Sequence, residues 1–291
     1  MNNLLILGGT GSLGKKLIPK LSNTDIFFKL LVHNNDFDFE NKLYGDILNE
    51  GLLDSQLFED TVVLNMIGQD NITSKILVEQ NILGGKNLLE SCVKNNVKRI
   101  ILISTINVYG NCNNEPSTEN DDVNPQTFYG MIKLLTEQLY RYYANLYNLN
   151  ITIIRLGNLY GPDQNTGLIS KLLLSHTNPC VINHNGTQIR DFLYIDDAID
   201  GICKVIQNHS EGFEIFNISS GKKYSVNKII QILENIKTLK LDVSFSSLQN
   251  DEFCVCASNS KAKQQLGFTP VMSLEDGLKK TIFSYFDTNF I

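Results

Sequence analysis

The sequence predicts an α/β fold: a doubly wound parallel sheet, with a smaller C-terminal α/β lobe. Three observations lead there. Short apolar runs alternate with segments of helical period through the first half of the chain. A glycine-rich turn, Gly8-Gly9-Thr10-Gly11-Ser12-Leu13-Gly14, joins the first run to the first periodic segment. Beyond Arg155 the alternation loosens, with no internal repeat or low-complexity linker to mark a separate module. The expected division is 1–157, with later segments partly woven back in, and 158–291.

Asn3–Leu7, Phe28–Val32, Thr61–Met66, Arg99–Ile103 and Ile151–Arg155 read as buried strands, being apolar runs too short for helices. Helical spacing is carried by Leu13–Leu21, Gly51–Phe58, Ser74–Asn95 and Tyr129–Tyr147. Strands separated by helices in this order call for a parallel sheet covered on both faces. In the second half, Asn185-Gly186 signals a hairpin between Cys180–Ile182 and Gln188–Tyr194. Asp196 or Asp197 is placed to cap a helix over Ala198–Gln207. Glu214–Ile218 and Leu241–Phe245 read as strands on either side of a helix from Val226 to Ile236.

The 291 residues are 42% hydrophobic and 19% charged, a globular balance with room for one large α/β domain or a domain and a lobe. Formal charge is −6, and no basic tract interrupts it, so neither nucleic acid nor an anionic membrane is the expected partner. An anionic ligand would have to be met by a local arginine. Of the six cysteines only Cys254 and Cys256 lie close together, at strand spacing, and His33, His176, His184 and His209 offer no matching spacing. No metal site is expected, and the thiols read as the reduced cysteines of a cytoplasmic protein. Leu4 to Leu7 is a strand-length run with no charged leader before it, and no segment approaches the ~18 apolar residues of a membrane span.

Gly8, Gly11 and Gly14 recur every three residues, directly after a strand and at the start of a helix. Small residues there allow a tight turn and close backbone approach to a pyrophosphate, whose charge the helix N-terminus favours. In this context dinucleotide binding outweighs an ordinary glycine-rich turn. The loop then comprises Gly8, Thr10, Gly11, Ser12, Leu13 and Gly14 in a Rossmann-type domain. The residue after the second strand selects the cofactor: an acid binds the ribose hydroxyls of NAD, an arginine the extra phosphate of NADP. Here Val32 is followed by His33-Asn34-Asn35, which is neither, and Asp36 and Asp38 lie further on. The cofactor is NAD or NADP, with NAD ahead. Asp46-Ile47, after a short third strand, suits an adenine pocket or a plain turn.

Tyr129 and Lys133 are four residues apart on one helix and share a face. A lysine ammonium beside a phenol favours the phenolate, so the tyrosine is expected to titrate below its usual value of about 10. Such a pair can exchange a proton with a hydroxyl while a dinucleotide takes or gives a hydride. On a helix alone the two would read as surface residues; with the glycine loop they point to an enzyme.

The chain resembles the extended short-chain dehydrogenases/reductases, the NAD(P)-dependent epimerase/dehydratase group that acts on nucleotide sugars. The likeness runs through the glycine loop, Ile103-Ser104-Thr105-Ile106-Asn107-Val108-Tyr109-Gly110, Tyr129-x-x-x-Lys133 and Arg155-Leu156-Gly157-Asn158-Leu159-Tyr160-Gly161-Pro162. It continues through Arg190-Asp191-Phe192-Leu193-Tyr194-Ile195-Asp196-Asp197, Phe216-Asn217-Ile218 and Ser260-Lys261-Ala262 to Leu266-Gly267-Phe268-x-Pro270. The resemblance implies that Thr105 hydrogen-bonds the reacting sugar oxygen and that Tyr129 is the acid–base. It implies that Lys133 lowers the tyrosine pKa and holds the nicotinamide ribose. Asn158 resembles a substrate-binding asparagine, and Arg190 the arginine that grips the diphosphate, for which a planar fork is suited. Strand-end, turn and hairpin residues, among them an Arg190–Asp191 ion pair, are the ordinary alternatives. Asn81 is expected to line the cofactor pocket, as are Met66, Ile67 and Gly68.

The departures narrow the chemistry. A 4,6-dehydratase of this family carries an acidic pair directly after the threonine, where this chain has Ile106 and Asn107. The cysteine that the epimerase–reductase of GDP-fucose synthesis has at the Ile106 position is also absent. Ser246–Asp251 offers no basic residue where many UDP-sugar epimerases have a second diphosphate arginine, and Leu64-Asn65-Met66-Ile67-Gly68 replaces the usual His-Leu-Ala-Ala run. What remains is a Thr/Tyr/Lys site for hydride transfer at one secondary alcohol or ketone. A 4-epimerase of the UDP-glucose 4-epimerase type is placed slightly ahead of an NADPH-dependent 4-ketoreductase. A non-catalytic dinucleotide-sensing regulator is the minor reading. Ser74–Asn95 and Tyr129–Tyr147 carry apolar residues beyond one stripe (Ile76, Leu77, Leu83; Leu135, Leu139, Tyr142, Tyr143), and the resemblance implies that these helices pair in a homodimer.

Overall fold

The structure is a computed structural model and describes residues 3–33, 39–68, 73–112, 115–183, 185–237, 240–246 and 254–289. Asn34, Asn35, Asp36, Asp38, His184 and residues 247–251, all used above, lie outside them.

The chain begins with β1 (Asn3–Leu7), α1 (Ser12–Ser22), β2 (Phe28–Val32), β3 (Lys42–Tyr44) and β4 (Thr61–Asn65). Next come α2 (Ser74–Val78), one π-helical turn (Glu79–Leu83) and α3 (Gly84–Lys94) as a continuous helical segment. Then follow β5 (Arg99–Thr105), a 3-10 turn (Ile106–Val108), α4 (Phe128–Tyr147) and β6 (Asn150–Leu156). The remainder is β7 (Asn158–Tyr160), α5 (Leu168–Leu174), β8 (Cys180–Asn183), β9 (Ile189–Arg190), β10 (Phe192–Tyr194) and α6 (Ile195–Gln207). Last are β11 (Phe213–Ile218), β12 (Tyr224–Ser225), α7 (Val226–Lys237), β13 (Val243–Ser246), β14 (Cys254–Val255), α8 (Ser260–Leu266) and α9 (Leu274–Asn289).

Two compact units divide the chain: residues 1–108, 125–155 and 203–216 in the first, and 109–124, 156–202 and 217–291 in the second. The central sheet is a seven-stranded parallel one in the order β11-β6-β5-β4-β1-β2-β3. β4 and β5 are buried along their whole length, as the unbroken apolar runs require of strands covered on both faces. One core of the first unit packs Leu5, Leu7, Val63, Ile100, Leu102, Ile151 and Ile153 from the sheet against Leu88, Leu89, Tyr140 and Ala144 from α3 and α4. Arg99 at the base of β5 is buried and donates to the carbonyls of Val205, Ile206 and Asn208, at and just beyond the C-terminus of α6. No helix among the described residues is long and apolar enough to cross a membrane.

The second unit has three small sheets among the described residues, β10-β7, β12-β9-β14 and β13-β8. Asn217 ties the 109–124 segment into it. Its side chain accepts from Tyr109 Oη at 2.8 Å and donates to the Ser117 and Ser258 carbonyls, while its backbone N–H meets Glu119.

Several expectations need correction. Gly51–Phe58 is a run of turns, not a helix: Asp54 and Gln56 donate three residues back, although Leu53 and Leu57 are buried at the spacing that suggested a helix. The helix expected over Ser74–Asn95 carries a π turn in its middle. No hairpin forms at Asn185-Gly186, because β8 pairs in parallel with β13, while β9 pairs with β12 and β14. Asn185 instead builds a local turn, accepting from the Thr187 N–H, and the Gly186 carbonyl receives the Asn227 N–H at the start of α7. The strand expected over Gln188–Tyr194 breaks at Asp191 into β9 and β10. Asp196 and Asp197 lie inside the first turn of α6, and the Asp197 carboxylate accepts the N–H groups of Val271 and Met272. The six cysteines are not all thiols: Cys112 and Cys254, 142 residues apart, form a disulfide with Cα atoms at 5.5 Å, within the range such a bond needs. Sequence spacing could not show that contact.

Candidate active site

The glycine turn leads straight from β1 into α1, whose N-cap is Gly11. Gly8 takes a left-handed φ of 78°, and a side chain at Gly14 would overlap the Gly9 carbonyl. The N-cap glycine has no side chain to cap this helix, and no acid stands in its first turn. Such an N-terminus, rimmed by the exposed Thr10 and the half-buried Ser12 and Leu13, suits an anion and fits the pyrophosphate of a dinucleotide.

At the end of β2, His33 is exposed, and its Nδ1 lies 3.6 Å from the Asp46 carboxylate. Asp46 also accepts the Leu48 N–H at 2.9 Å and so serves its own turn. Ile47 is buried, and its carbonyl receives the Asn87 side chain. After β4, Asn65 is buried and braces the Met66–Gly68 segment: its Oδ1 accepts the Ile67 N–H, and its Nδ2 donates to Tyr140 Oη at 2.8 Å. Burial pushes the Tyr140 phenol well above its ordinary range, so it remains a neutral partner.

Lys133 is the centre of the arrangement. It is 1% exposed, and its Nζ donates to Asn81 Oδ1 at 3.2 Å and to the Ile67 carbonyl at 3.3 Å. Asn81 sits in the π turn, where the extra residue changes which side chains face α4. Its Nδ2 is held by the Leu77 carbonyl at 2.8 Å, which leaves Oδ1 for the lysine. Burial pushes the Lys133 ammonium down to about 8, and the charge of Glu137, one turn further along α4, acts against that fall.

Tyr129, half-buried, opens the same helix face one turn earlier. Thr127 caps α4 by accepting the Gly130 N–H at 3.0 Å, and the helix packs on the 3-10 turn that follows Thr105. Thr105 is the last residue of β5, and its hydroxyl accepts the Asn107 N–H at 3.2 Å. The first unit therefore brings Lys133, Asn81, Ile67 and Gly68 into one cluster, with Tyr129 on the lysine's own helix.

In the second unit, Asn158 opens β7 and donates through both its N–H and its Nδ2 to the Asp191 carbonyl, each at 2.9 Å. Arg190 pairs across β9 with Tyr224 and Val255. The Asp191 carboxylate is fully buried and accepts from Ser220 N–H, Ser220 Oγ and Gly221 N–H. It is thus committed to that turn. Asn158 and Arg190 are accordingly neighbours in this unit.

Sequence reasoning missed Asn65, Tyr140 and the buried group of Ser104, Glu137 and Arg155. Glu137 was reachable, since it stands four residues beyond Lys133, the spacing that had linked Tyr129 to Lys133.

A glycine turn opening a helix, a buried lysine cluster and a strand-end threonine are the arrangement that a dinucleotide-dependent enzyme of the short-chain dehydrogenase type would need. The chain belongs to the NAD dependent epimerase/dehydratase family, whose model matches residues 4–219. It is thereby an NAD-dependent enzyme of nucleotide-sugar chemistry. The UDP-glucuronate 4-epimerase of Thermodesulfobacterium geofontis is 35% identical over 71% of this chain and 65% of its own. The UDP-glucuronic acid 4-epimerase of Bacillus cereus, solved with UDP-glucuronic acid and NAD, is 27% identical with a TM-score of 0.86, over 98% of this chain and 99% of that one. The UDP-glucose 4-epimerase of Thermotoga maritima, solved with UDP-glucose, is 26% identical with a TM-score of 0.86, over 99% of each chain.

Proposed function

We propose that the protein is a 4-epimerase of UDP-glucose or a closely related nucleotide sugar, with NAD kept in place through the cycle. The observation that carries this is the buried Lys133 held by Asn81 one helical turn from Tyr129, with no acid at positions 106 and 107. The similarity to UDP-sugar 4-epimerases supports it.

The first unit is the dinucleotide-binding domain and the second the substrate-binding lobe. The backbone of Gly8 to Gly14 and the start of α1 hold the pyrophosphate. His33, Asp46 and Ile47 lie on the adenosine side, and Met66, Ile67, Gly68 and Asn81 on the nicotinamide side. When bound, NAD supplies the hydride acceptor and donor for the sugar carbon. Tyr129 takes the proton of the 4-hydroxyl and later returns it, and Thr105 hydrogen-bonds the same oxygen. Lys133 stabilises the phenolate and holds the nicotinamide ribose. Asn158 orients the sugar nucleotide, and Arg190 grips its diphosphate. With no acid beside Thr105 to drive elimination, the keto sugar turns its other face and is reduced again.

The purified enzyme, given UDP-glucose and UDP-glucuronate separately, is expected to form the 4-epimer of at least one with no net change in NADH, read by proton NMR. Reduction of a 4-keto sugar with consumption of NADPH, and no epimer, would instead establish the ketoreductase, which the lack of an acid directly after Val32 favours.

We also infer a homodimer. Ile76, Leu83, Leu135 and Tyr142, on α2, the π turn and α4, are 41%, 51%, 48% and 61% exposed. A monomeric mass by light scattering at micromolar concentration would refute this. A cytoplasmic location is proposed on Cys92, Cys180, Cys203 and Cys256, which form no disulfide, and the Cys112–Cys254 bond counts against it. Cell fractionation decides it.

A further inference from the structure

We propose that Glu137 is a positioning residue for the Tyr129–Lys133 pair: its carboxylate, clamped between Ser104 and Arg155, fixes the strand end that bears Thr105 and sets a negative group one helical turn from Lys133. This rests on the reading of Tyr129 and Lys133 as the acid–base pair. Glu137 is 2% exposed and stands on α4 one turn after Lys133 and two after Tyr129. Ser104 Oγ donates to its Oε1 at 2.5 Å. Arg155 on β6 donates through Nη2 to Oε2 at 2.6 Å and through Nε to both oxygens, at 3.1 and 3.2 Å. One carboxylate thus ties α4 to β5, at the residue before Thr105, and to β6.

A buried ion pair is a poor device for stability alone, because apolar side chains of similar volume serve as well or better. What apolar side chains could not supply is a negative charge beside Lys133. The charged group that acts on that lysine is Glu137, one turn along its own helix, and Arg155 reaches Glu137 from β6. Among the described residues, the hydrogen bonds that Lys133 makes to the π turn and to the segment after β4 go to the neutral Asn81 amide and Ile67 carbonyl. Burial already brings the Lys133 ammonium down to about 8, and Glu137 opposes that fall. Without the carboxylate, a larger share of Lys133 would be neutral near pH 7, which weakens the counter-charge to a Tyr129 phenolate.

The test is a titration of Lys133 by NMR of 15N-lysine-labelled protein, assigned with Lys133→Met, in wild type, Glu137→Gln, Arg155→Met and the double variant Glu137→Gln/Arg155→Met. The double variant leaves no uncompensated buried guanidinium and keeps the proposal testable if the single variant does not fold. In folded Glu137→Gln the Lys133 midpoint is expected to fall by about one pH unit, the lower end of what a nearby opposite charge supplies. In the double variant, which removes the Arg155 charge as well, it is expected to fall relative to Arg155→Met. The alkaline limb of the kcat profile should move down with it while KM for the nucleotide sugar stays within about twofold. A folded Glu137→Gln variant whose Lys133 midpoint is unchanged overturns the proposal and leaves Glu137 a structural ion-pair partner, and so does a folded double variant whose midpoint does not fall below that of Arg155→Met. A wild type that turns over no nucleotide sugar overturns the functional reading instead, and the titration still decides the role of Glu137.

Discussion

At the scale of single residues, the site is governed by burial. Lys133 binds its proton less tightly in the folded chain than in the unfolded one, where a lysine titrates near 10.4. Between about pH 8 and 10 the unfolded chain therefore carries the extra proton, so this residue's contribution to stability increases as pH rises. Relative to Lys133→Met, the wild type should gain on the order of 3 kcal/mol across that window, read from urea unfolding at the two ends. A difference independent of pH would show that the ammonium is not desolvated. Tyr129→Phe should lower kcat by ~10²–10⁴ with little change in KM, as expected for loss of an acid–base group. Tyr140→Phe leaves the buried Asn65 amide without its acceptor and should cost about 1–3 kcal/mol by thermal melting. Thr105 was reached only through the family resemblance, whereas Tyr129 and Lys133 could be picked out as a pair from residue type and spacing. Asn65 and Tyr140 could not, because their hydrogen bond joins positions 75 residues apart, and nothing local announces it.

At the scale of elements, the strands of the central sheet were legible because a parallel strand buried on both faces is a continuous apolar run. The sequence pattern failed where backbone detail decides the outcome. Leu53 and Leu57 repeat as a helix would, yet the chain between them turns. The π turn leaves no mark in the hydrophobic period, although it carries Asn81 to Lys133. The Asn-Gly pair at 185–186 does make a turn, but the strands it joins find other partners, since pairing is set by the whole lobe. Thr127 fixes the entry to α4 two residues before Tyr129. Thr127→Ala should cost about 1 kcal/mol of stability and lower kcat more than it raises KM; an unchanged kcat would separate the cap from the chemistry.

At the scale of the whole molecule, the chain is a nucleotide-sugar enzyme whose sheet and glycine turn were visible in the sequence, while the disulfide was not. Denatured, unreduced protein should yield four titratable thiols, from Cys92, Cys180, Cys203 and Cys256. Six would contradict the Cys112–Cys254 bond. The choice between epimerase and reductase turns on whether the dinucleotide stays with the protein from one turnover to the next. The most direct measurement is to purify the protein without added cofactor, denature it and identify the released dinucleotide by chromatography. Near-stoichiometric NAD is the expected result for a closed 4-epimerase cycle. A protein that releases none, and then binds NADPH in preference to NADH, would contradict the epimerase and establish a freely exchanging reductase.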